Sequence, residues 1–147
     1  MNNLDKKNKP FVILSAELSG LSAKENLYRS SELEQTLIDL KVTYKEIEGV
    51  YKGLIETSFY VERTKHLFDI IKLAKEYGQE SILIVNENRR ASLGYLTSPA
   101  LPTCDEIDCN FHHYTDIGKF TQVSEQEAVS QDNYTYDFNN DGYYICK

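Results

Sequence analysis

Two rhythms of apolar and polar residues run through the first half of this chain. Phe11-Val-Ile-Leu-Ser-Ala16 is a short apolar run behind Pro10, with the length and composition of a buried strand. Ser22-Ala-Lys-Glu25 then has the spacing of a capping box, in which the Ser oxygen and the Glu carboxylate satisfy amides of a helix's first turn. Behind it Leu27, Leu33, Leu37 and Leu40 recur at helical spacing, while Glu32, Glu34, Gln35 and Asp39 are placed for water. From Thr43 the rhythm returns to β-branched and aromatic residues as far as Val50. A turn bracketed by Gly49 and Gly53 follows, and Glu56-Thr-Ser-Phe-Tyr-Val61 alternates again, which predicts a hairpin. Leu67, Ile70, Ile71 and Ala74 form one face of a second helix that stops near Tyr77-Gly78, and Ser81-Ile-Leu-Ile-Val85 is a fourth strand.

Strand, helix, strand, strand, helix, strand is the order of the ferredoxin-like split β-α-β fold, an α+β class. With right-handed crossovers both helices cover one face of an antiparallel sheet of order 4-1-3-2. The expected arrangement is a single domain over residues 1–147, with a core at about 11–86 and a β-rich C-terminal extension at about 90–147. One edge of that sheet would gather the end of the first strand, the starts of the third and fourth, and the N-terminus of the first helix. The polar residues there are Ser15, Ser22, Glu25, Asn26, Arg29, Glu56, Ser58, Gln79 and Glu80.

Those residues form the candidate ligand-binding site. A helix N-terminus presents free amides and partial positive charge, and Arg29, two turns in, adds a planar fork for carboxylate or phosphate. Asn26 and Gln79 offer donor and acceptor together, and Tyr28 or Tyr51 a flat stacking surface. This inventory suits a nucleotide-like or other anionic small molecule. The same residues also have plain structural uses: Glu25 and Arg29 are i,i+4 neighbours, Arg29 can pair with Glu56, and Ser22 and Asn26 can cap amides. Glu25 and Glu56 as a catalytic pair would need a raised pKa, which a neighbouring Arg29 opposes. Ser15 and Ser58 have no expected base beside them, His66 falls on the opposite edge, and no phosphate loop or zinc-hydrolase motif is present. No catalytic residue is assigned.

Composition narrows the classes. Of the 147 residues 41% are hydrophobic, with 11 Tyr and 6 Phe, enough for a real core. A net charge of -7 opposes a broad surface for duplex nucleic acid. The apolar stretches are too short to cross a bilayer and the polar start is no secretion signal, so a cytoplasmic protein without membrane partners is expected. Cys104, Cys109 and Cys146 are odd in number and uneven in spacing, which favours reduced thiols over a disulfide framework.

Ser15-Ala16, Ser22-x-x-Glu25-Asn26-x-x-Arg29, Gly49-x-Tyr51, Glu56-x-Ser58-Phe59-x-Val61 and Gly78-Gln79-Glu80-Ser81 together carry a resemblance. Over about residues 11–86 the chain resembles a small domain family of bacteria and their phages, the domain of unknown function numbered three-two-nine-three. Glu17-Leu18-Ser19 stands where that family carries Asn-Pro. The resemblance implies the same core and the same site edge, and it brings no activity with it.

The C-terminal third adds Cys104-Asp-Glu-Ile-Asp-Cys109-Asn-Phe-His112-His113, whose ligand types suggest zinc, with Asp105, Asp108 or Cys146 completing the set. The spacing matches no common finger, so no metal or other cofactor is expected. Lys119–Val123 reads as a strand. Tyr134–Phe138 and Tyr143–Cys146 read as a hairpin around Asn139-Asn-Asp-Gly142, a turn and not a calcium loop, since the distal bidentate Glu is missing. The expected function is a small ligand-binding module, in one concrete version a phage counter-defence protein that sequesters a nucleotide signal. The alternatives are an acidic inhibitor that blocks a protein partner, and an enzyme that processes a nucleotide.

Overall fold

The computed structural model describes residues 9–62, 67–96 and 113–147. In chain order the elements are β1 (Phe11–Ser15), α1 (Ala23–Asp39), β2 (Tyr44–Tyr51), β3 (Leu54–Glu62), α2 (Leu67–Glu76), β4 (Ser81–Val85), β5 (Arg90–Tyr95), β6 (His113–Val123), α3 (Glu125–Val129), β7 (Tyr134–Asp137) and β8 (Gly142–Cys146). The eight strands close into an antiparallel barrel of order β1-β3-β2-β7-β8-β6-β5-β4.

This corrects the expected ferredoxin-like α+β fold. An open 4-1-3-2 sheet would end at β2 and β4 with a row of unpaired backbone groups on each edge. Instead β2 pairs onward with β7, through Glu48↔Tyr136, and β4 pairs onward with β5, through Leu83↔Leu93. The C-terminal strands supply those partners, and β8 and β6 join the two halves. Burial gives the driving force. All five residues of β1 are buried, so its alternate side chains face two apolar environments rather than one core and one solvent.

Val12 and Leu14 belong to the outer cluster, with Phe59, Val61 and Ile82, beneath Leu33 and Leu37 of α1 and Ile70, Ile71 and Ala74 of α2. Leu27, expected in the apolar stripe of α1, is 68% exposed. Phe11 and Ile13 belong to the second cluster, inside the barrel, with Ile47, Tyr60, Val85, Phe120 and Tyr144. Their rings touch in succession: Phe11 lies tilted 4.6 Å from Tyr60 and edge-on 5.2 Å from Phe120, and Phe120 stacks on Tyr144 at 5.0 Å. This aromatic plug fills one part of the interior.

Two local signals place the mouth of the barrel. Ser22 caps α1 and forms the capping box with Glu25, which sets where the chain leaves β1 and turns into the helix. Gly78, at φ +69°, ends the α2 segment: its N–H donates to Lys75 O and that of Gln79 to Ala74 O, a Schellman turn that only a left-handed residue closes without strain. Gln79 is thereby brought beside the segment that follows β1.

Candidate functional site

Beyond the aromatic plug the barrel opens into a cavity of about 920 Å³, the size of a site that encloses a nucleoside-sized ligand. Its wall includes Ser15, Glu17, Asn26, Gly49, Tyr51, Lys52, Glu56, Ser58, Gln79 and Glu80, with Leu83, Leu93 and Ile117 on the apolar side and Tyr144 and Cys146 toward the plug. Strand register explains part of this. Ser15 lies opposite Ser58, and Gly49 opposite Glu56. A Cβ on Gly49 would lie 2.6 Å from Ser58 Oγ, so the absent side chain makes room inside the barrel.

Six of the nine residues gathered from sequence, Ser15, Asn26, Glu56, Ser58, Gln79 and Glu80, line this cavity. Ser22, Glu25 and Arg29 are not on its wall. Ser22 and Glu25 are exposed and engaged in the helix cap, whose hydrogen bonds with Ser22 hold the Glu25 pKa below the ordinary value. Arg29 donates through Nε to the Ala16 carbonyl at 2.6 Å and through a terminal nitrogen to the Tyr77 carbonyl, with its guanidinium 5.1 Å from the Tyr77 ring centre.

These bonds converge on one short segment. Ser15 Oγ accepts from the Glu17 amide at 3.0 Å, and Gln79 Nε2 donates to the Glu17 carbonyl at 3.0 Å. Asn26 accepts from the Leu18 amide and donates to the Leu18 carbonyl, while Arg29 holds Ala16. Residues 16–18 are therefore fixed by four side chains, and they present Leu18 and Glu17 to the cavity, neither of them among the residues gathered from sequence. Glu17 Oε2 accepts from the Thr57 amide at 2.7 Å, so the carboxylate is pinned against β3 beside Glu56. The available signal was an acidic residue directly after an apolar strand, at the strand end where ligand sites gather.

The carboxylate beside Glu56 is that of Glu17 and not that of Glu25. Burial, and secondarily the charge of Glu17, raise the Glu56 pKa to about 7. The opposing effect expected from Arg29 is absent because that guanidinium is committed to carbonyls. Burial pushes the Cys146 thiol up to about 11, so it stays protonated, and raises the Tyr51 phenol. Lys52 is the one cationic side chain on the described wall, its Nζ 5.2 Å from the Tyr51 ring centre. Cys104, Cys109, His112, Asp105, Asp108 and His66 lie outside the described residues, and among the described residues no group of His, Cys, Asp and Glu has the arrangement of a metal site. No described helix is long and apolar enough to cross a membrane.

Fold and site together define a small β-barrel that holds a deep, acidic, partly aromatic cavity at one end. The chain belongs to the S-adenosylmethionine lyase family, whose sequence pattern matches residues 12–147. That match takes in the barrel from β1 through β8, where the resemblance to the domain of unknown function covered only about residues 11–86. None of the curated proteins matches the chain.

Proposed function

We propose that this protein binds S-adenosylmethionine in the barrel-end cavity and breaks the bond between its sulfonium sulfur and the methionine γ-carbon. The observation that carries the reading is the pairing of Glu17 with Glu56 in a cavity whose described wall has a single cation, Lys52. Such a site suits a cationic ligand, and it departs from the anion pocket that the sequence suggested around Arg29. The rest of the wall fits the remainder of the molecule. Tyr51 offers a ring to adenine, and Ser58 has a hydroxyl for the ribose. Lys52 complements the substrate carboxylate.

The chemistry follows from what the site contains. Heterolysis sends the C–S electron pair to sulfur, which becomes a neutral thioether, and the γ-carbon must gain a bond in the same step. Removal of a β-hydrogen asks for a far stronger base than a carboxylate near neutrality. The substrate's own carboxylate oxygen can reach the γ-carbon opposite sulfur and close a five-membered ring, giving methylthioadenosine and homoserine lactone. Ring closure within one bound molecule has the advantage of effective molarities of roughly 10⁵–10⁸ M when the atoms are aligned. Opposite charges are annihilated in the step, so leaving water favours it, and Leu83, Leu93 and Ile117 supply apolar wall. The protein's task is to fold the chain of the substrate and exclude water. A cytoplasmic setting and a counter-defence role that depletes a nucleotide-derived metabolite are compatible with this activity.

The test is incubation of S-adenosylmethionine with a hundredth as much protein, followed by mass spectrometry. Methylthioadenosine with an equal amount of lactone, or of homoserine from its hydrolysis, is the expected result. Stoichiometric retention without products would make the protein a sequestering module, and no interaction at all would return the acidic protein-binding reading to first place.

A further inference from the structure

Glu17 is fixed beside Glu56. The backbone of Glu17 is held on both sides, by Ser15 Oγ at its amide and by Gln79 Nε2 at its carbonyl, and its carboxylate is held by the Thr57 amide. Glu56 projects from β3 opposite Gly49, which has no side chain to fill the space, and Glu56 is itself half-buried on the same wall. Ionising Glu56 in this setting is costly, because its burial penalises the charged form and the neighbouring charge of Glu17 adds to that penalty.

We infer that the Glu17–Glu56 pair is the determinant that selects a sulfonium over its neutral thioether, and that it does so by holding a proton in the free protein and releasing it when the cation enters. The inference rests on the reading of the cavity as an S-adenosylmethionine site. A cation seated beside Glu56 favours its charged form against the burial and the Glu17 charge that kept the proton on, so the proton leaves and binding gains that charge. A thioether such as the product methylthioadenosine offers no such exchange and departs. The raised pKa of Glu56, about 7, places the exchange in the physiological range. The other ionisable groups on the described wall are Lys52, Glu80 and Asp132 together with the phenols of Tyr51, Tyr134 and Tyr144 and the thiol of Cys146. Lys52 is the one positive charge among them, and it complements the substrate's carboxylate and not its sulfur.

Isothermal calorimetry in two buffers of different ionisation heat counts the proton directly. The probes are sinefungin, a non-cleavable analogue with a protonated amine at the sulfur position, and S-adenosylhomocysteine, the neutral thioether. For a group near 7, sinefungin should release about half a proton at pH 7 beyond what Glu56→Gln releases, and its affinity should rise about tenfold from pH 6 to pH 8 relative to that variant. S-adenosylhomocysteine should show neither effect. Glu17→Gln provides a second variant and should reduce the excess proton release, by the share of the shift that the Glu17 charge contributes. Sinefungin bound with the same pH profile in the wild type and both variants would overturn the inference and leave the binding site standing. Folded wild-type protein that binds neither probe would overturn both the site reading and this inference.

Discussion

Arg29 Nε and the Ala16 carbonyl, 2.6 Å apart, join helix α1 to the segment that leaves strand β1. The same guanidinium reaches the Tyr77 carbonyl at the end of the α2 segment, so one side chain ties three parts of the chain together below the cavity mouth. Arg29→Ala strands both carbonyls, and hydrogen bonds from a charged donor are worth about 1.5–3 kcal/mol. The expected loss of stability is of that order, read as a lower urea midpoint. Residual ligand binding in the still-folded variant should weaken through disorder of Glu17 and should be restored by low temperature or added osmolyte. A loss of affinity with an unchanged urea midpoint would instead mean that Arg29 touches the ligand.

Gly49 tests the floor of the site. Its missing Cβ would lie 2.6 Å from Ser58 Oγ, so Gly49→Ala forces the β2–β3 pair to adjust at the level of Glu56. Overpacking of this kind costs about 1–3 kcal/mol. Because the clash is with a hydroxyl, Gly49→Ala combined with Ser58→Gly should recover part of the loss, a non-additivity that a double-mutant cycle measures.

Stability of the ligand-free protein should depend on pH through Glu56. Its carboxyl binds the proton more tightly in the folded state, at about 7 against an ordinary 4.5, so its contribution is full below 4.5 and is lost as pH rises through about 7. Denaturant midpoints measured between pH 4.5 and 8 should fall in the wild type relative to Glu56→Gln. Parallel curves would show that the folded environment does not raise the Glu56 pKa.

Inside the barrel Lys45 Nζ lies 2.8 Å from Asp137 Oδ2, and the Asp137 side chain is fully buried. Burial works against this carboxylate, yet bonds from Lys45, Asn140 and Asn139 outweigh it and hold its pKa below the ordinary value. Lys45→Met leaves the charge with its amide partners alone and should cost about 3 kcal/mol, the lower end of the range for breaking a buried pair. Asp137→Asn combined with Lys45→Met removes the stranded charge and should regain part of that loss. The contribution of Asp137 is present above the ordinary carboxylate pKa and disappears as pH falls through its lowered one, so the effect of Lys45→Met should shrink in acid.

The local elements of this protein were legible in its sequence because each is set by neighbours a few residues away. The Ser22–Glu25 capping box, the stop at Gly78, the hairpin of β2 with β3 and the hairpin of β7 with β8 all depend on spacing alone, and all are present. Six of the nine candidate site residues reach the cavity wall, since strand ends and turns gather at the rim of the sheet. The closure of the barrel was a different matter. It depends on β2 finding β7 and β4 finding β5, a choice made by edges left unpaired and by a second apolar face on β1, and Phe11 and Ile13 hold that face in the same run as Val12 and Leu14. Tertiary structure alone also decided the electrostatics. Arg29 donates to the Ala16 and Tyr77 carbonyls, and Glu17 comes to rest beside Glu56 because Ser15, Asn26, Gln79 and the Thr57 amide, scattered from 15 to 79 along the chain, meet at one end of a closed sheet.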